Sequence, residues 1–359
     1  GYVFHKLSSE PVPSILRGMS APVILEMAQT DAQLLHLLAH DSDAFNRWEA
    51  GQRLGIRQAL QALSQGHSDD LLSDAYVQAM RSVLRHPGLD AAFKELVLTL
   101  PSEAYLAEQV EVVDPQRIHA VRQSMRLQLA MALRDDWEQA WMAHRDTGAY
   151  NPDARSSGRR ALAGMALLHL CLADVAERED RWPQVALERF QAAGNMTDRF
   201  NALSALVHSG HGLADQALQR FHSLFKQEEL VIDKWFSLQA GAPDHGGHVL
   251  PIVRQLIRHP DFNLRNPNRA RSVVSTFCQG NPAAFHREDA AGYVFWGERV
   301  LELDAFNPQV AARLARALDR WKKLAEPYRS AAREAIARVA AKPELSKDVR
   351  EVVTRALAD

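Results

Sequence analysis

Hydrophobic and polar positions follow a helical spacing along almost the whole chain from residue 30 onward. After Asp114-Pro115, apolar residues recur every three or four positions, at Ile118, Val121, Met125, Leu129 and Leu133. This spacing places them on one face of a helix. Asp at the cap and Pro at the first helical position form a strong helix start. The pattern therefore predicts an amphipathic helix beginning at this point.

Many similar segments follow, separated by Gly and Pro residues and joined by short links. The pattern predicts further helices at about 159–177, 183–193, 198–208, 212–226, 247–258, 266–278, 291–303, 308–319, 322–340 and 346–357. Short consecutive helices of this kind are typical of an α-solenoid of the HEAT or armadillo type. Residues 83–90 and 256–263 share an Arg-His-Pro element after an apolar helix end. That element is either a trace of a repeat or a common helix terminator.

Residues 1–30 differ from the rest of the chain. They contain three prolines, at positions 11, 13 and 22, and β-type runs at 2–7 and 22–27. Two short strands do not make a stable domain alone. We expect them either to pack on the following helices or to belong to a sheet whose other strands lie elsewhere. Because the chain opens inside the first run and without Met, we expect it to be a piece of a longer protein.

Composition and net charge argue against several classes of protein. The chain has 359 residues, with 42 Lys and Arg against 44 Asp and Glu, a net charge of -2. This balance argues against nucleic-acid binding, which normally requires a basic excess. Two cysteines, Cys171 and Cys278, argue against a disulfide scaffold and suit a reducing, cytoplasmic compartment. No run of about 18 apolar residues occurs, so we expect no membrane span.

The familiar catalytic motifs are missing from the sequence. No phosphate-binding loop and no Gly-x-Ser-x-Gly element occurs. His36 and His40 have the spacing of a zinc-protease helix, but Leu37 stands where the general base Glu is required, which favours an ordinary core helix. Two further pairs lie at helix boundaries without a third ligand and are interpreted as turn residues: His208 with His211, and His245 with His248.

The sequence alone leaves a catalytic Cys–His pair as an alternative hypothesis. Cys171 lies in an apolar stretch and Cys278 ends an apolar helix, so a buried, structural role is favoured for both. The residues themselves therefore predict no catalytic group and no metal ligand in this chain.

Polar clusters mark several predicted helix starts. Asn-Pro begins the segments at 266–271, 281–286 and 307–313, and arginines follow in the first and the last of them. One interpretation is that Asn caps the helix and Pro starts it. The other is that helix N-termini, Asn side chains and arginines together bind an anion such as a carboxylate.

Several of these segments resemble, in order, the C-terminal part of the bacterial aminopeptidase N group, which are zinc metallopeptidases of the M1 family. The matching stretches span nearly the whole chain and lie at 11–23 (PVPSILRGMSAPV), 40–50 (HDSDAFNRWEA), 195–198 (NMTD), 233–236 (DKWF), 266–269 (NPNR), 281–286 (NPAAFH) and 307–310 (NPQV). The resemblance implies that residues 1–30 are the last strands of an Ig-like β-sandwich. It implies that residues 31–359 are an all-α, solenoid-type C-terminal domain.

The resemblance also implies what this chain lacks. The parent enzymes hold zinc with an HExxH helix and a downstream Glu, and bind the substrate amine with a GxMEN loop. None of these motifs occurs here. We therefore expect no catalytic residue, no metal ligand and no cofactor in this chain, which should be inactive alone. Zinc belongs to the catalytic domain of the parent enzyme, which we expect as a partner in the same polypeptide.

The resemblance implies that this chain supports substrate binding. In the family, the helical domain walls a chamber in which arginines meet the carboxyl end of a peptide. The matching positions are Arg271 and Arg313, with Arg269 as a further candidate. The function implied is the C-terminal part of an enzyme that releases N-terminal amino acids from peptides, with no nucleic-acid or membrane partner. The alternative is a free-standing α-solenoid adaptor that binds a protein or peptide.

Overall fold

Helices dominate the structure, a computed structural model that describes residues 5–23, 25–65, 71–145 and 148–358. Within these ranges no β-strand occurs. One isolated parallel bridge joins Val113 to Leu324. Its hydrogen bonds run from Val113 N–H to the Lys323 carbonyl, at 2.7 Å, and from Ala325 N–H to the Val113 carbonyl, at 2.8 Å. The predicted all-α fold class is confirmed.

Short helices follow one another along the described residues. The first are α1 (Asp31–His40), α2 (Ala44–Gln65), α3 (Asp74–Arg85), α4 (Ala91–Leu98), α5 (Glu103–Glu108), α6 (Pro115–Ala132), α7 (Arg134–His144) and α8 (Ala154–Glu177). The next are α9 (Arg181–Ala192), α10 (Met196–Ser209), α11 (Leu213–Phe225), α12 (Glu229–Ala240), α13 (Val249–Leu256) and α14 (Pro267–Ala270). The last are α15 (Thr276–Gly280), α16 (Pro282–Phe285), α17 (Ala291–Asp304), α18 (Pro308–Ala315), α19 (Tyr328–Ala340) and α20 (Lys347–Leu357). A π-helical turn, Arg271–Ser275, joins α14 to α15.

The Asn-Pro elements act as helix caps. The side-chain oxygens of Asn266, Asn281 and Asn307 each accept a hydrogen bond from the backbone N–H three residues later, at 3.3, 3.4 and 3.2 Å. Each Asn is followed by Pro at the first helical position, where the missing N–H costs nothing. The capping interpretation of these clusters is therefore confirmed.

The chain divides into two compact units. One comprises Gly1–Ser102 and Val121–Ala173, and the other comprises Glu103–Ala120 and Asp174–Asp359. In the first unit α1 packs on α2, around buried residues that include Leu34, Leu54, Met80, Leu129 and Trp137. In the second unit α9 packs on α10 and α17 on α18, with a core of edge-to-face aromatic rings that includes Phe277, Phe285 and Phe295.

The N-terminal residues differ from the prediction of strands. The described part of residues 5–30 contains one 3-10 turn, Arg17–Met19, and no strand. A strand requires a paired neighbour for its backbone hydrogen bonds, and none is present here. Side chains of α2 instead hold this segment: Asn46 donates to the Ile15 carbonyl at 2.9 Å, and Arg57 to the Gln29 carbonyl at 2.7 Å. Residues 2–4 and 24 of the predicted runs lie outside the described residues, and the β-sandwich assignment of 1–30 stays a prediction.

The helix prediction omitted α4, α5, α7 and α12, and one predicted helix was wrong in its extent. Helix α12 was missed because it begins after Glu228 without a side-chain cap, so its start carries no local signal. The helix predicted at 322–340 is interrupted. A 3-10 turn, Trp321–Lys323, precedes Pro327, and α19 begins at Tyr328. Proline has no N–H to donate and disfavours helical geometry at the residue before it.

Candidate functional site

Arg269 and Arg271 lie two residues apart at the start of the helical run formed by α14 and the π-helical turn. Two positions along a helix correspond to a rotation of about 200°. The two side chains therefore leave the helix on opposite sides. Arg269 is 5% exposed, whereas Arg271 is exposed to solvent.

Arg269 is fully engaged inside the protein. Its Nε donates to Asp233 Oδ1 at 2.6 Å, and its Nη1 donates to the backbone carbonyl of Asp261. Its Nη2 reaches the Glu229 carbonyl at 3.4 Å, and the guanidinium carbon lies 4.9 Å from the centre of the Phe236 ring. A guanidinium held by these partners is not available to pair with a carboxylate from solution. Arg269 instead ties α12 to the turn that follows α13.

Arg271 lines an open groove of about 520 Å³ together with Lys234, Asn268 and Phe200. Among the described residues its guanidinium has neither an ion-pair nor a hydrogen-bond partner. The Lys234 ammonium lies 5.9 Å from the centre of the Phe200 ring. Asp233 also borders the groove, but its charge is paired with Arg269. The groove therefore presents two uncompensated cations beside an aromatic ring and suits an anionic ligand.

Arg313 is exposed on α18 and is not among the residues that line the Arg271 groove. Its backbone carbonyl accepts a hydrogen bond from Gln279 Nε2 at 2.9 Å, which links α18 to the end of α15. Its guanidinium has no partner among the residues that the structure describes. Of the three predicted arginines, two are thus accessible and one is buried.

The other residues singled out in the sequence have structural roles. His36 and His40 are exposed on α1, with ring centres 5.0 Å apart, while Leu34, Leu37 and Leu38 of that helix are buried. His211 accepts from the Leu213 N–H at 3.2 Å, as expected of a turn residue. Both cysteines are buried. Burial raises the pKa of the Cys278 thiol well above its usual value, which makes it a poor nucleophile.

The Arg-His-Pro elements form the same local turn. In each, the histidine Nδ1 accepts a hydrogen bond from the backbone N–H two residues later, at 3.1 Å for His86 and 3.1 Å for His259. This shared hydrogen bond accounts for the sequence similarity as a helix terminator.

Sequence reasoning missed one group of metal-ligating side chains. His222, His259 and Asp261 offer ligand atoms that lie within 4.8 Å of one another, and no other such group occurs in the described ranges. His222 is 39 positions before Asp261, on a different element, so no sequence spacing reveals the group. One residue of the group, His259, had been singled out in the sequence as part of an Arg-His-Pro helix terminator.

No helix within the described residues combines the length and the apolar character needed to cross a bilayer.

Comparison with known proteins gives consistent matches over almost the whole chain. Residues 31–358 match the profile of a family described as "Domain of unknown function (DUF3458_C) ARM repeats". Aminopeptidase N of Caulobacter vibrioides is 39% identical over 354 residues, and that of Escherichia coli is 36% identical over 367 residues. Each alignment covers 99% of this chain and 40% of the relative. The crystal structure of Legionella pneumophila aminopeptidase A in complex with aspartic acid superposes with a TM-score of 0.87 at 27% identity, covering 99% of this chain and 41% of that one.

Proposed function

We propose a function from the premise that this chain belongs to the DUF3458_C family of ARM-repeat domains and resembles the C-terminal part of aminopeptidase N. The chain spans about 40% of the length of the curated relatives it matches. It is the helical C-terminal part of a cytoplasmic zinc aminopeptidase that releases N-terminal amino acids from peptides. It walls the substrate chamber of that enzyme and binds the C-terminal side of the peptide, while residues 1–30 complete a β-sandwich.

The observation that carries the binding role is the pair of uncompensated cations in the groove. Arg271 presents an unpartnered guanidinium to solvent, and Lys234 lines the same groove. A guanidinium matches a carboxylate with two parallel hydrogen bonds, and an ammonium adds a point charge. A peptide carboxyl end is a ligand of this chemistry. Arg313 provides a second accessible guanidinium on α18.

Arg269 has an indirect role in this proposal. It is buried against Asp233 and orders the backbone from which Arg271 extends, two residues further along. We therefore keep Arg271 and Arg313 as the groups that touch the peptide, and assign Arg269 to positioning.

The chain contributes binding and no bond-making step. It has no HExxH motif, so its residues do not fit the catalytic zinc of the parent enzymes. Binding the far end of a peptide accelerates cleavage only if it orients the scissile bond. The free-standing adaptor is the weaker alternative, because the match to the aminopeptidase N of Caulobacter vibrioides covers 99% of this chain.

The test compares substrates that differ only in their C-terminal charge. In the complete enzyme, Arg271→Gln should lower kcat/KM for a tripeptide with a free carboxylate by about tenfold or more, the effect of losing one charge-assisted hydrogen bond. The same tripeptide with a C-terminal amide, and an aminoacyl arylamide, should be affected little. Arg313→Gln should show the same selectivity.

Arg333→Gln is the matched control, because Arg333 is also exposed on a helix of the second unit but does not line the groove. Equal losses with the acid and the amide would remove the carboxylate-binding role. Turnover of an arylamide by this chain alone, at a rate that survives repurification, would contradict the assignment as a non-catalytic part.

A further inference from the structure

We propose that His222, His259 and Asp261 form a binding site for a divalent transition-metal ion of the Zn²⁺ type. One ring nitrogen of each histidine and one carboxylate oxygen lie within 4.8 Å of one another. This departs from the expectation, drawn from the sequence, that the chain holds no metal. None of these three residues lines the proposed peptide groove.

The geometry is close to that of a three-ligand metal site. His222 Nε2 and Asp261 Oδ2 are 2.6 Å apart, and His259 Nδ1 is 3.8 Å from the same oxygen. His259 Nδ1 also accepts the Asp261 N–H at 3.1 Å, so binding a metal through this nitrogen exchanges that hydrogen bond for the metal–ligand bond. With metal–ligand bonds of about 2.0–2.1 Å, tetrahedral ligands are separated by roughly 3.3 Å. The metal replaces the proton shared by His222 and Asp261.

The backbone holds the ligands on two anchored elements. His222 lies in the last turn of α11, where the helix dipole favours a cation. His259 and Asp261 occupy the turn after α13, which Arg269 fastens through the Asp261 carbonyl. The positive charge of Arg269 is neutralised by its ion pair with Asp233 at 2.6 Å. The site is thus pre-ordered before a metal arrives.

Trp235 packs beside both imidazoles and limits their movement. Its ring centre lies 5.0 Å from that of His222 and 5.3 Å from that of His259. The two histidine side chains are 23% and 27% exposed, and the Asp261 side chain is 37% exposed. A hydrated ion can therefore reach the three ligands, and water can fill the remaining position.

The ligand types select the metal. Two imidazoles and one carboxylate suit Zn²⁺, Co²⁺, Ni²⁺ and Cu²⁺, whereas Mg²⁺ and Ca²⁺ prefer oxygen ligands alone. A bound ion would bridge α11 to the turn after α13. Because the unfolded chain does not hold these ligands together, metal binding should stabilise the folded state.

The experiment measures Zn²⁺ uptake by this chain in equilibrium dialysis, with Co²⁺ absorption spectra as the second readout. We expect one saturable ion per chain, a Co²⁺ spectrum of a low-coordinate site, and a Zn²⁺-dependent rise in the unfolding temperature that Mg²⁺ does not produce. His222→Gln, His259→Gln and Asp261→Asn should each weaken uptake about tenfold or more. Asp261→Asn is nearly isosteric and keeps the backbone contacts of the turn.

Two control variants test whether histidines outside the proposed site contribute to Zn²⁺ uptake. His211→Gln removes a comparable histidine, which contacts a single carboxylate, Asp180, at 3.0 Å. His36→Gln removes one member of the exposed pair with His40 on α1. Both should retain the wild-type affinity. The proposal is overturned if wild type takes up no saturable Zn²⁺, if Asp261→Asn binds as tightly as wild type, or if the tight site disappears in His36→Gln instead.

Discussion

The buried histidine His169 should make the first unit less stable in mild acid. His169 is 5% exposed, and its ring stacks on Trp137 with ring centres 4.4 Å apart. Its Nδ1–H donates to the Met165 carbonyl at 2.8 Å. Burial, reinforced by the positive charge of Arg126, lowers the pKa of His169 from 6.5 to about 4. The folded state therefore holds this imidazole neutral.

The sign and size follow from proton linkage. Between pH 6.5 and about 4 the unfolded chain binds a proton at this position that the folded chain does not, so the free energy of unfolding falls as the pH is lowered through this window. A shift of this size corresponds to about 3 kcal/mol in total, of which about 2 kcal/mol is lost between pH 7 and pH 5. The contribution is fully present above the unfolded value and absent below about 4.

His169→Leu removes the titrating group and keeps an apolar contact with Trp137. The Met165 carbonyl still has its helical hydrogen bond, so no buried acceptor is left unpaired. The measurement is urea unfolding of wild type and variant at pH 7 and at pH 5. The contribution of His169 is the stability that wild type loses between these pH values minus the stability that the variant loses. We expect the variant to lose about 2 kcal/mol less than wild type over this interval. Equal losses, or an imidazole proton that titrates near 6.5 in a histidine NMR titration, would show the reasoning to be wrong.

Three further predictions concern the second unit. Gly292→Ala should lower stability by about 2 kcal/mol or more in thermal unfolding, because its Cβ would lie 2.0 Å from the Phe285 carbonyl oxygen; stability equal to wild type would contradict this contact. Arg269→Met should cost about 3 kcal/mol by leaving the partly buried Asp233 carboxylate without its partner, and the double variant with Asp233→Leu should recover part of that loss. Cys278 should resist iodoacetamide in the folded chain and react only on unfolding, because burial keeps its thiol protonated.

Local features of the fold could be predicted from the sequence. The Asn-Pro caps at 266, 281 and 307 were predicted correctly because a cap involves only the Asn side chain and a backbone N–H three residues away. Helix α12 was missed because its start has no such cap, and it is defined by residues such as Ile232 and Phe236 that are buried against other helices.

The roles of the arginines depended on information that the sequence does not carry. The spacing of Arg269 and Arg271 implies opposite faces of a helix, but not which face is buried. The position of α12 decides this, because it brings Asp233 and Phe236 to one side of the helical run. The sequence nominated Arg271 with Arg269 as a further candidate, and the structure separates the buried ion pair of Arg269 from the accessible guanidinium of Arg271.

The sequence by itself determined the all-α fold class, the helix caps and the resemblance to the helical part of an aminopeptidase, because periodicity, capping and ordered motifs are properties of short segments. Only the tertiary structure decided which charges are paired and which ligands meet. His222 and Asp261, 39 positions apart, come within 2.6 Å because α11 packs beside the turn after α13. Such contacts arise from helix packing, which depends on the summed burial of many side chains and leaves no fixed spacing along the chain.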